Sequence, residues 1–444
     1  MRSPIPALGW VGIVRLGVVQ AAIGAIVMLA TSLLNRVMVV EYALPAALPA
    51  GLVAWHYAVQ LSRPLWGHES DRGRRRTPWI IAGMAMLAAG AIVAVWALGV
   101  ITGGATLGYA LAVLAFAMIG AGVGAAGTSL LALLASHVAP ARRAAAAAVT
   151  WIMMVAGIAL SAGGAGALLD PFSFGRLLQV VAGVAGVALL AATLAVRGVE
   201  RYTRAEDRFA PPPPPAAPPP SFADALRALW ADDEARRFTG FVFLSMLAYA
   251  MQDLILEPFT GLRFGLTPGQ STQVSGIQHG GVLLGMVLTG IAGSGFGGRA
   301  TAGMRRWIVG GCIGAALALG GRVRAARGGP GGPILANIFA LGFANGVFAV
   351  AAIGAMMALA GGGANGTHGA GIRMGIWGAA QAIAFGLGGL TGAVAVDAGR
   401  ALTGSLPETF MLVFGAEALL FLAAAVLALR PPLREVHFER EVVL

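Results

Sequence analysis

The chain contains no lysine and has little charge of any kind. Its positive charge comes from 30 arginines against 19 acidic residues, and charged residues make up only 11% of the 444 positions. A soluble globular domain carries about 25% charged residues, so the composition excludes an ordinary soluble protein. Hydrophobic residues reach 58%, which indicates an integral membrane protein. The net charge of +11 is explained by topology and anionic lipid headgroups rather than by nucleic acid.

Cysteine is also scarce. The one cysteine, Cys312, lies in an apolar run, which excludes a disulfide framework and indicates a buried, unreactive thiol. The chain has no G-x-x-x-x-G-K-S/T phosphate-binding loop, and no nucleophile–base–acid set is apparent. We therefore expect neither an enzyme nor a metal site.

Long apolar runs and glycine are what the chain has instead. Its 66 glycines let membrane helices approach closely. A spanning helix needs about 20 apolar residues, and twelve blocks of that length occur in two sets of six. They lie at 11–34, 44–65, 79–100, 107–136, 145–168 and 176–196, then at 239–256, 271–294, 306–321, 333–360, 370–396 and 408–429.

The stretch Trp66–Trp79, between the second and third blocks, is densely basic. Arginine collects on the cytoplasmic side of a membrane, so we expect this stretch to be a cytoplasmic loop. With the N-terminus inside, the cytoplasmic segments hold 22 of the 30 arginines and the outside loops hold 7. The seven outside arginines are Arg36, Arg176, Arg263, Arg322, Arg324, Arg327 and Arg400. This bias predicts a multi-pass membrane protein with both termini in the cytoplasm.

The longest hydrophilic segment, 197–237, divides the chain. Its prolines at 211–220 predict a stiff spacer about 30 Å long. Ser221 opens a predicted amphipathic helix, which lies on the membrane surface or docks a soluble partner. We therefore expect an N-terminal six-helix half at 1–196 and a C-terminal six-helix half at 238–444.

A shift of 228 residues relates the two halves weakly. It aligns Gly67 with Gly295, Trp79 with Trp307, and Gly83 with Gly311. The match falls at the loops after the second and eighth blocks, as expected of a duplicated transporter fold.

The basic stretch resembles the loop signature of the major facilitator superfamily, G-x-x-x-D-R-x-G-R-R. The matching residues are Gly67, Asp71, Arg72, Arg74, Arg75 and Arg76. The second glycine of the signature is displaced, because Gly73 stands one position earlier than the signature requires. In that family the aspartate caps or pairs with a neighbouring helix and the arginines hold the inward face closed, so the resemblance implies a gate here. It also implies the fold, an all-α membrane protein of twelve helices in two pseudo-symmetric six-helix halves around a central cavity.

Segments in both halves resemble the PucC/LhaA family, a branch of that superfamily also called bacteriochlorophyll delivery proteins. The segments are 34–41, 56–60, 76–83, 249–259 and 275–285. The resemblance implies an assembly factor for light-harvesting complexes that binds or delivers bacteriochlorophyll, antenna α/β polypeptides, or both. The implied partners are those polypeptides, the reaction centre–antenna core complex and membrane lipids. The implied location is the bacterial inner membrane, in its intracytoplasmic photosynthetic part. Whether the protein forms an oligomer stays open.

Ionisable groups inside the apolar blocks are candidate functional residues, because an unpaired charge in hydrocarbon is costly. Asp253 and Glu257 are four residues apart, with Gln252 beside them, and so share one face of the seventh helix. They form a site for a proton, a substrate or a partner helix. Alternatively they form an outer gate, in which Glu257 pairs with Arg263 or Arg36.

Two histidines are candidate axial ligands for the magnesium of a bacteriochlorophyll. His56 lies near the middle of the second block beside Tyr57. His279 follows Gln278 and precedes two glycines that leave room for a flat macrocycle. A membrane histidine can equally hydrogen-bond a neighbouring helix, and the glycines can equally allow close helix packing.

Asn35, Arg36 and Glu41 cluster at the outer end of the first block, where they stabilise the outer closure or contact an antenna peptide.

Two functions of different class remain open. One is an antenna assembly factor, and the other is a proton-coupled transporter of a small molecule that uses Asp253 and Glu257. The low charge of the central spans favours the assembly factor, since a transporter of polar solutes lines its cavity with several polar groups.

Overall fold

The computed structural model describes residues 8–63, 66, 75–138, 143–200, 231, 233–295, 300–328, 333–361 and 370–429. Within these ranges the chain forms a bundle of twelve helices. They are α1 (Trp10–Glu41), α2 (Ala47–Val59), α3 (Thr77–Thr102), α4 (Leu107–His137), α5 (Arg143–Leu168), α6 (Phe174–Val196), α7 (Asp233–Phe264), α8 (Pro268–Gly295), α9 (Ala300–Gly328), α10 (Ile334–Gly361), α11 (Ala370–Thr403) and α12 (Leu406–Leu429). Part of the basic stretch (Gly67, Asp71, Arg72 and Arg74) and the proline spacer at 211–220 lie outside the described residues.

Eleven of these helices are long and apolar enough to cross a membrane. The exception is α2, which has 13 residues and continues into a single 3-10 turn at Gln60–Ser62. The predicted all-α, multi-pass membrane fold is therefore confirmed. One expectation about the outside loops is wrong, because the seven arginines assigned to them lie within helices. Arg322, for example, lies inside α9, which extends from Ala300 to Gly328.

The two halves repeat the same packing. In the N-terminal half α1 packs on α5 and α6, α3 packs on α4 and α6, and α2 packs on α4. The same pairs recur six helices later in the C-terminal half. The halves meet where α2 packs on α11 and where α5 packs on α8, two contacts that are themselves related by the six-helix offset. The boundaries of the halves at residues 196 and 238 remain predictions.

Glycines at equivalent positions allow two of these matching contacts. A Cβ at Gly83 of α3 would lie 2.6 Å from the backbone N of Ala126 on α4, and a Cβ at Gly311 of α9 would lie 2.7 Å from the backbone N of Phe348 on α10. A larger residue would push the helices apart at either position. The pair aligned by the 228-residue shift therefore performs the same packing role in each half.

Candidate functional site

Helix α1 changes its winding where its polar residues lie. Two π-helical turns, Leu29–Leu33 and Val37–Glu41, flank Asn35 and Arg36. Such turns are rare and recur at functional sites. Both side chains are buried, with 3% and 1% exposed, and both reach into the other half of the molecule.

Asn35 contacts α7. Its Nδ2 donates to the carbonyl oxygen of Leu254 at 2.6 Å. In a regular helix that carbonyl would accept the N–H of residue 258, but Pro258 lies inside α7 and has no N–H. Asn35 therefore satisfies a backbone acceptor for which the bilayer interior offers no water.

Arg36 contacts the start of α8. Its Nε donates to Ser271 Oγ at 2.8 Å, its Nη2 donates to the carbonyl of Leu266, and its Nη1 pairs with Glu41. One guanidinium thus uses its fixed fork of donors to join the end of α1 to the C-terminal half.

Glu257 is buried and accepts hydrogen bonds from α8. Thr272 Oγ1 donates to it at 3.1 Å and Ser275 Oγ at 2.6 Å. The predicted ion pair with Arg263 is wrong, because Arg263 donates to the carbonyl of Ala326. Arg36 acts on Glu257 only at longer range.

Asp253, one turn earlier in α7, is the more open acid, with 28% of its side chain exposed. Its Oδ1 lies 3.7 Å from His279 Nε2, and Gln278 Nε2 donates to the same oxygen at 3.5 Å. His279 Nδ1 lies 2.9 Å from the carbonyl of Ser275. Because a carbonyl only accepts, Nδ1 carries the hydrogen, and the Nε2 of a neutral ring faces Asp253 with its lone pair. The neighbouring Gln252 is fully buried, and its amide has no hydrogen-bond partner among the described residues.

An aromatic row crosses the contact between the halves beside Asp253. The rings of Tyr57 and Phe385 lie 5.7 Å apart, as do those of Phe385 and Tyr249, and Tyr249 lies 6.4 Å from Phe348. The row joins α2, α11, α7 and α10. Asp253 lies close enough to both tyrosines to act on them electrostatically.

His56 has a different environment from His279. Gln60 Nε2 lies 2.8 Å from His56 Nε2, and because an amide nitrogen only donates, the imidazole accepts there. The backbone of His56 also packs closely on α4, where a Cβ at Gly120 would lie 2.5 Å from the His56 carbonyl oxygen. The ring is fully surrounded by protein, with Tyr57 edge-on at 5.0 Å.

Two buried charges next to the site were missed from the sequence. Arg322 on α9 and Glu417 on α12 are both 0% exposed. Arg322 Nη2 donates to Gln278 Oε1 at 2.8 Å, and its guanidinium carbon lies 5.7 Å from the ring centre of Phe414. Glu417 could have been found as an acid in the middle of the last apolar block. The burial of Arg322 is not predictable from the sequence, because two more arginines follow it closely and such a cluster indicates a loop.

The described part of the basic stretch shows how α3 begins. The backbone N–H groups of Arg76 and Thr77 donate to the Glu200 carboxylate at 2.6 and 3.1 Å, and a carboxylate is favourable at a helix N-terminus. The Arg76 side chain donates to the carbonyl of Ala132 on α4, while Arg75 is exposed. The gate role of the complete motif remains a prediction.

The twelve helices and their six-helix offset define a membrane protein with the major facilitator fold. A solved peptide transporter (POT, in complex with sulfate) superposes with a TM-score of 0.67 over 96% of each chain, at 14% sequence identity. A similarity at this identity shows the fold alone.

The family follows from sequence. A family model described as PUCC protein matches residues 33–435, and the chain belongs to this family, which confirms the resemblance in its motifs. The chain is 52% identical to the "Bacteriochlorophyll synthase 44.5 kDa chain" of Rhodobacter capsulatus over 95% of each chain. It is 30% identical to "Protein PucC" of the same species, over 94% of this chain and 91% of the relative.

Proposed function

We propose that this chain is an assembly factor for bacterial light-harvesting complexes, which binds bacteriochlorophyll, antenna α/β polypeptides or both, and catalyses no reaction itself. Membership of the PUCC family supports this proposal, as does a close relative named after bacteriochlorophyll. The structural observation that carries it is His279, whose Nδ1 is fixed by a backbone carbonyl. Its Nε2 lies 3.7 Å from Asp253 Oδ1 and makes no hydrogen bond within the described part of the chain.

His279 fits the role of an axial ligand to a chlorin magnesium. Such a ligand needs one free ring nitrogen and a second nitrogen held by a hydrogen bond, which sets the tautomer and the orientation of the ring. Gly280 leaves open space, since no described atom beyond its own turn of α8 lies within 4 Å of the position that a Cβ would occupy. The row of Tyr57, Phe385 and Tyr249 offers ring surfaces to a flat macrocycle. Bound bacteriochlorophyll would supply the magnesium that accepts the histidine lone pair.

His56 fits that role less well. Its Nε2 already accepts from Gln60, so ligation would require this hydrogen bond to break. The two histidines therefore give a matched pair of variants, one at a free nitrogen and one at an occupied nitrogen.

The experiment is the absorption spectrum of the protein purified from a strain that makes bacteriochlorophyll. We expect pigment to co-purify with the wild-type protein, to be largely lost in His279→Ala, and to be retained in His56→Ala. Added imidazole should restore part of the pigment to His279→Ala. A colourless wild-type protein, or equal pigment loss in both variants, would contradict pigment ligation by His279.

The antenna polypeptides need a separate measurement. An affinity-tagged wild-type chain and His279→Ala are each isolated from the same strain, and the co-purifying α/β polypeptides are quantified. Polypeptides retained by both variants would support peptide binding that does not depend on pigment. If neither variant retains polypeptides, the peptide half of the proposal is wrong.

We further propose that the protein lies in the intracytoplasmic membrane with both termini in the cytoplasm. Reporter fusions at each terminus would test this topology.

Proton-coupled transport of a small molecule is a second candidate. It is supported by the partial exposure of Asp253 between the halves and by a fold shared with a peptide transporter. Uptake into proteoliposomes that is abolished by Asp253→Asn, together with a colourless purified protein, would favour transport over assembly.

A further inference from the structure

Arg322 and Glu417 are two fully buried groups of opposite charge inside the C-terminal half. Arg322 lies against the ring of Phe414, which precedes Glu417 by three residues on α12. Arg322 acts electrostatically on Glu417, yet the two side chains share no hydrogen bond. Nε and Nη1 of Arg322 and both carboxylate oxygens of Glu417 have no hydrogen-bond partner in the described part of the chain. A fully buried charge without donors or acceptors is costly, whereas a neutral carboxylic acid costs much less.

Gln278 links Arg322 to a second acid, Asp253, through hydrogen bonds. Arg322 donates to Gln278 Oε1 at 2.8 Å, and Gln278 in turn donates to Asp253 at 3.5 Å. Glu417 and Asp253 both act on Arg322, Glu417 the more strongly. His279, whose Nε2 lies 3.7 Å from Asp253 Oδ1, also acts on Asp253. Arg322 is the one permanent positive charge among these groups, and it can neutralise only one of the two carboxyl groups.

Among the described residues of the helices around Glu417, no other counter-charge acts on it. Helices α7, α9 and α11 pack against α12, and Arg322 is the group that acts on Glu417 electrostatically. The other titratable groups on those helices include Tyr249, Asp253, Glu257 and Arg263 on α7, Arg305, Arg306, Cys312, Arg324 and Arg327 on α9, and Asp397 and Arg400 on α11. Of these, Glu257 accepts hydrogen bonds from hydroxyl groups of α8. Arg263 and Arg305 donate to backbone carbonyls. Asp397 accepts a backbone N–H at the start of α2.

We propose that Glu417 is a proton-binding site whose occupancy is set by the position of Arg322. While Gln278 and Asp253 hold the arginine, Glu417 keeps its proton and stays neutral. When the charge of Asp253 is removed or covered by a ligand, Arg322 turns to Glu417. The carboxyl group then releases its proton to water and the ion pair closes. Any ligand that engages Asp253 is thereby coupled to one proton, whichever function the central site serves.

The test is infrared spectroscopy of the ligand-free, full-length protein in nanodiscs at neutral pH. A protonated carboxylic acid has a separate C=O stretching band that shifts in D₂O. We expect this band in the wild type, its loss in Glu417→Gln, and its retention in Glu408→Gln, which changes an exposed acid on the same helix. In Asp253→Asn the band of Glu417 should disappear although Glu417 is unchanged.

Two results would overturn the proposal. One is a wild-type spectrum from which Glu417→Gln subtracts no carboxylic acid band, and the other is a Glu417 band that persists in Asp253→Asn. Elution as a single species and an unchanged helical circular dichroism spectrum show that each variant is folded. If Glu417→Gln does not fold, Glu417→Asp replaces it, and a shifted band then identifies the same group. Because no pigment or peptide is present, failure here leaves the proposed assembly function untouched.

Discussion

Asn35 and Pro258 are complementary across the contact between the two halves: the amide of Asn35 donates to the Leu254 carbonyl that Pro258 leaves without an intrahelical N–H. Each residue is unfavourable alone, since a proline removes a helix hydrogen bond and an asparagine brings an unpaired amide into hydrocarbon. Together they allow one buried hydrogen bond, from Asn35 of α1 to the Leu254 carbonyl of α7.

This relationship predicts a thermodynamic coupling. Asn35→Ala should lower the free energy of unfolding by about 1 kcal/mol, in the range of hydrogen bonds between membrane helices. Pro258→Ala restores an N–H to α7, so the Leu254 carbonyl no longer needs Asn35. In that background Asn35→Ala should have little effect. The measurement is a double-mutant cycle by unfolding in mixed micelles, and an equal loss in both backgrounds would show that the proline is not the reason for the asparagine.

Two adjacent glycines of α8 should differ in their tolerance of a side chain. A Cβ at Gly281 would lie 2.3 Å from the carbonyl oxygen of Phe339 on α10, whereas a Cβ at Gly280 meets nothing within 4 Å. Gly281→Ala should therefore lower stability by about 1–3 kcal/mol, the usual cost of overpacking, and Gly280→Ala should leave it unchanged. Thermal unfolding in detergent measures both variants. Destabilisation by Gly280→Ala would mean that the space beside His279 is closed.

Arg36 should control the distance between the halves at its end of the bundle. Arg36→Lys keeps the charge but loses the fork that reaches Ser271 and Leu266 together, so we expect the halves to separate more often. Spin labels at exposed Ala105 and Leu402, in a Cys312→Ala background, report that distance by pulsed electron paramagnetic resonance. A distance distribution identical to that of the wild type would show that the arginine does not hold the closure.

The fold was predictable because its signals are local. Runs of apolar residues of spanning length indicate helices without reference to any partner, and eleven of the predicted spans meet the criteria of length and hydropathy. The predictions that are wrong concern charged residues that lie inside a helix. Arg322 was assigned to a loop because arginine in a membrane protein normally marks one, and only the packing of α9 against α12 shows it to be buried.

The polar contacts were less predictable because they join residues far apart in sequence. The spacing of Asp253 and Glu257 indicated a shared helix face, but it could not show that Glu257 takes hydroxyl donors from α8 while Asp253 faces His279. His56 and His279 looked equivalent in sequence. Their difference depends on the group that each ring nitrogen meets, Gln60 in one case and a backbone carbonyl in the other.

The N-terminus of α2 is capped from the other half, and this gives a final prediction. Asp397 of α11 accepts the backbone N–H groups of Ala46 and Ala47 at 3.2 and 2.8 Å. Asp397→Ala should lower the free energy of unfolding by about 1 kcal/mol, as loss of an N-cap commonly does. It should also lengthen the distance between labels at Ala105 and Leu402, because the cap joins two halves.

Ser173 provides the control for that prediction. Its hydroxyl caps α6 by accepting the backbone N–H of Arg176 at 3.1 Å, entirely within the N-terminal half. Ser173→Ala should therefore destabilise the protein by a similar amount without changing the distance between the halves. If both variants change stability and neither changes the distance, Asp397 stabilises α2 but does not hold the halves together.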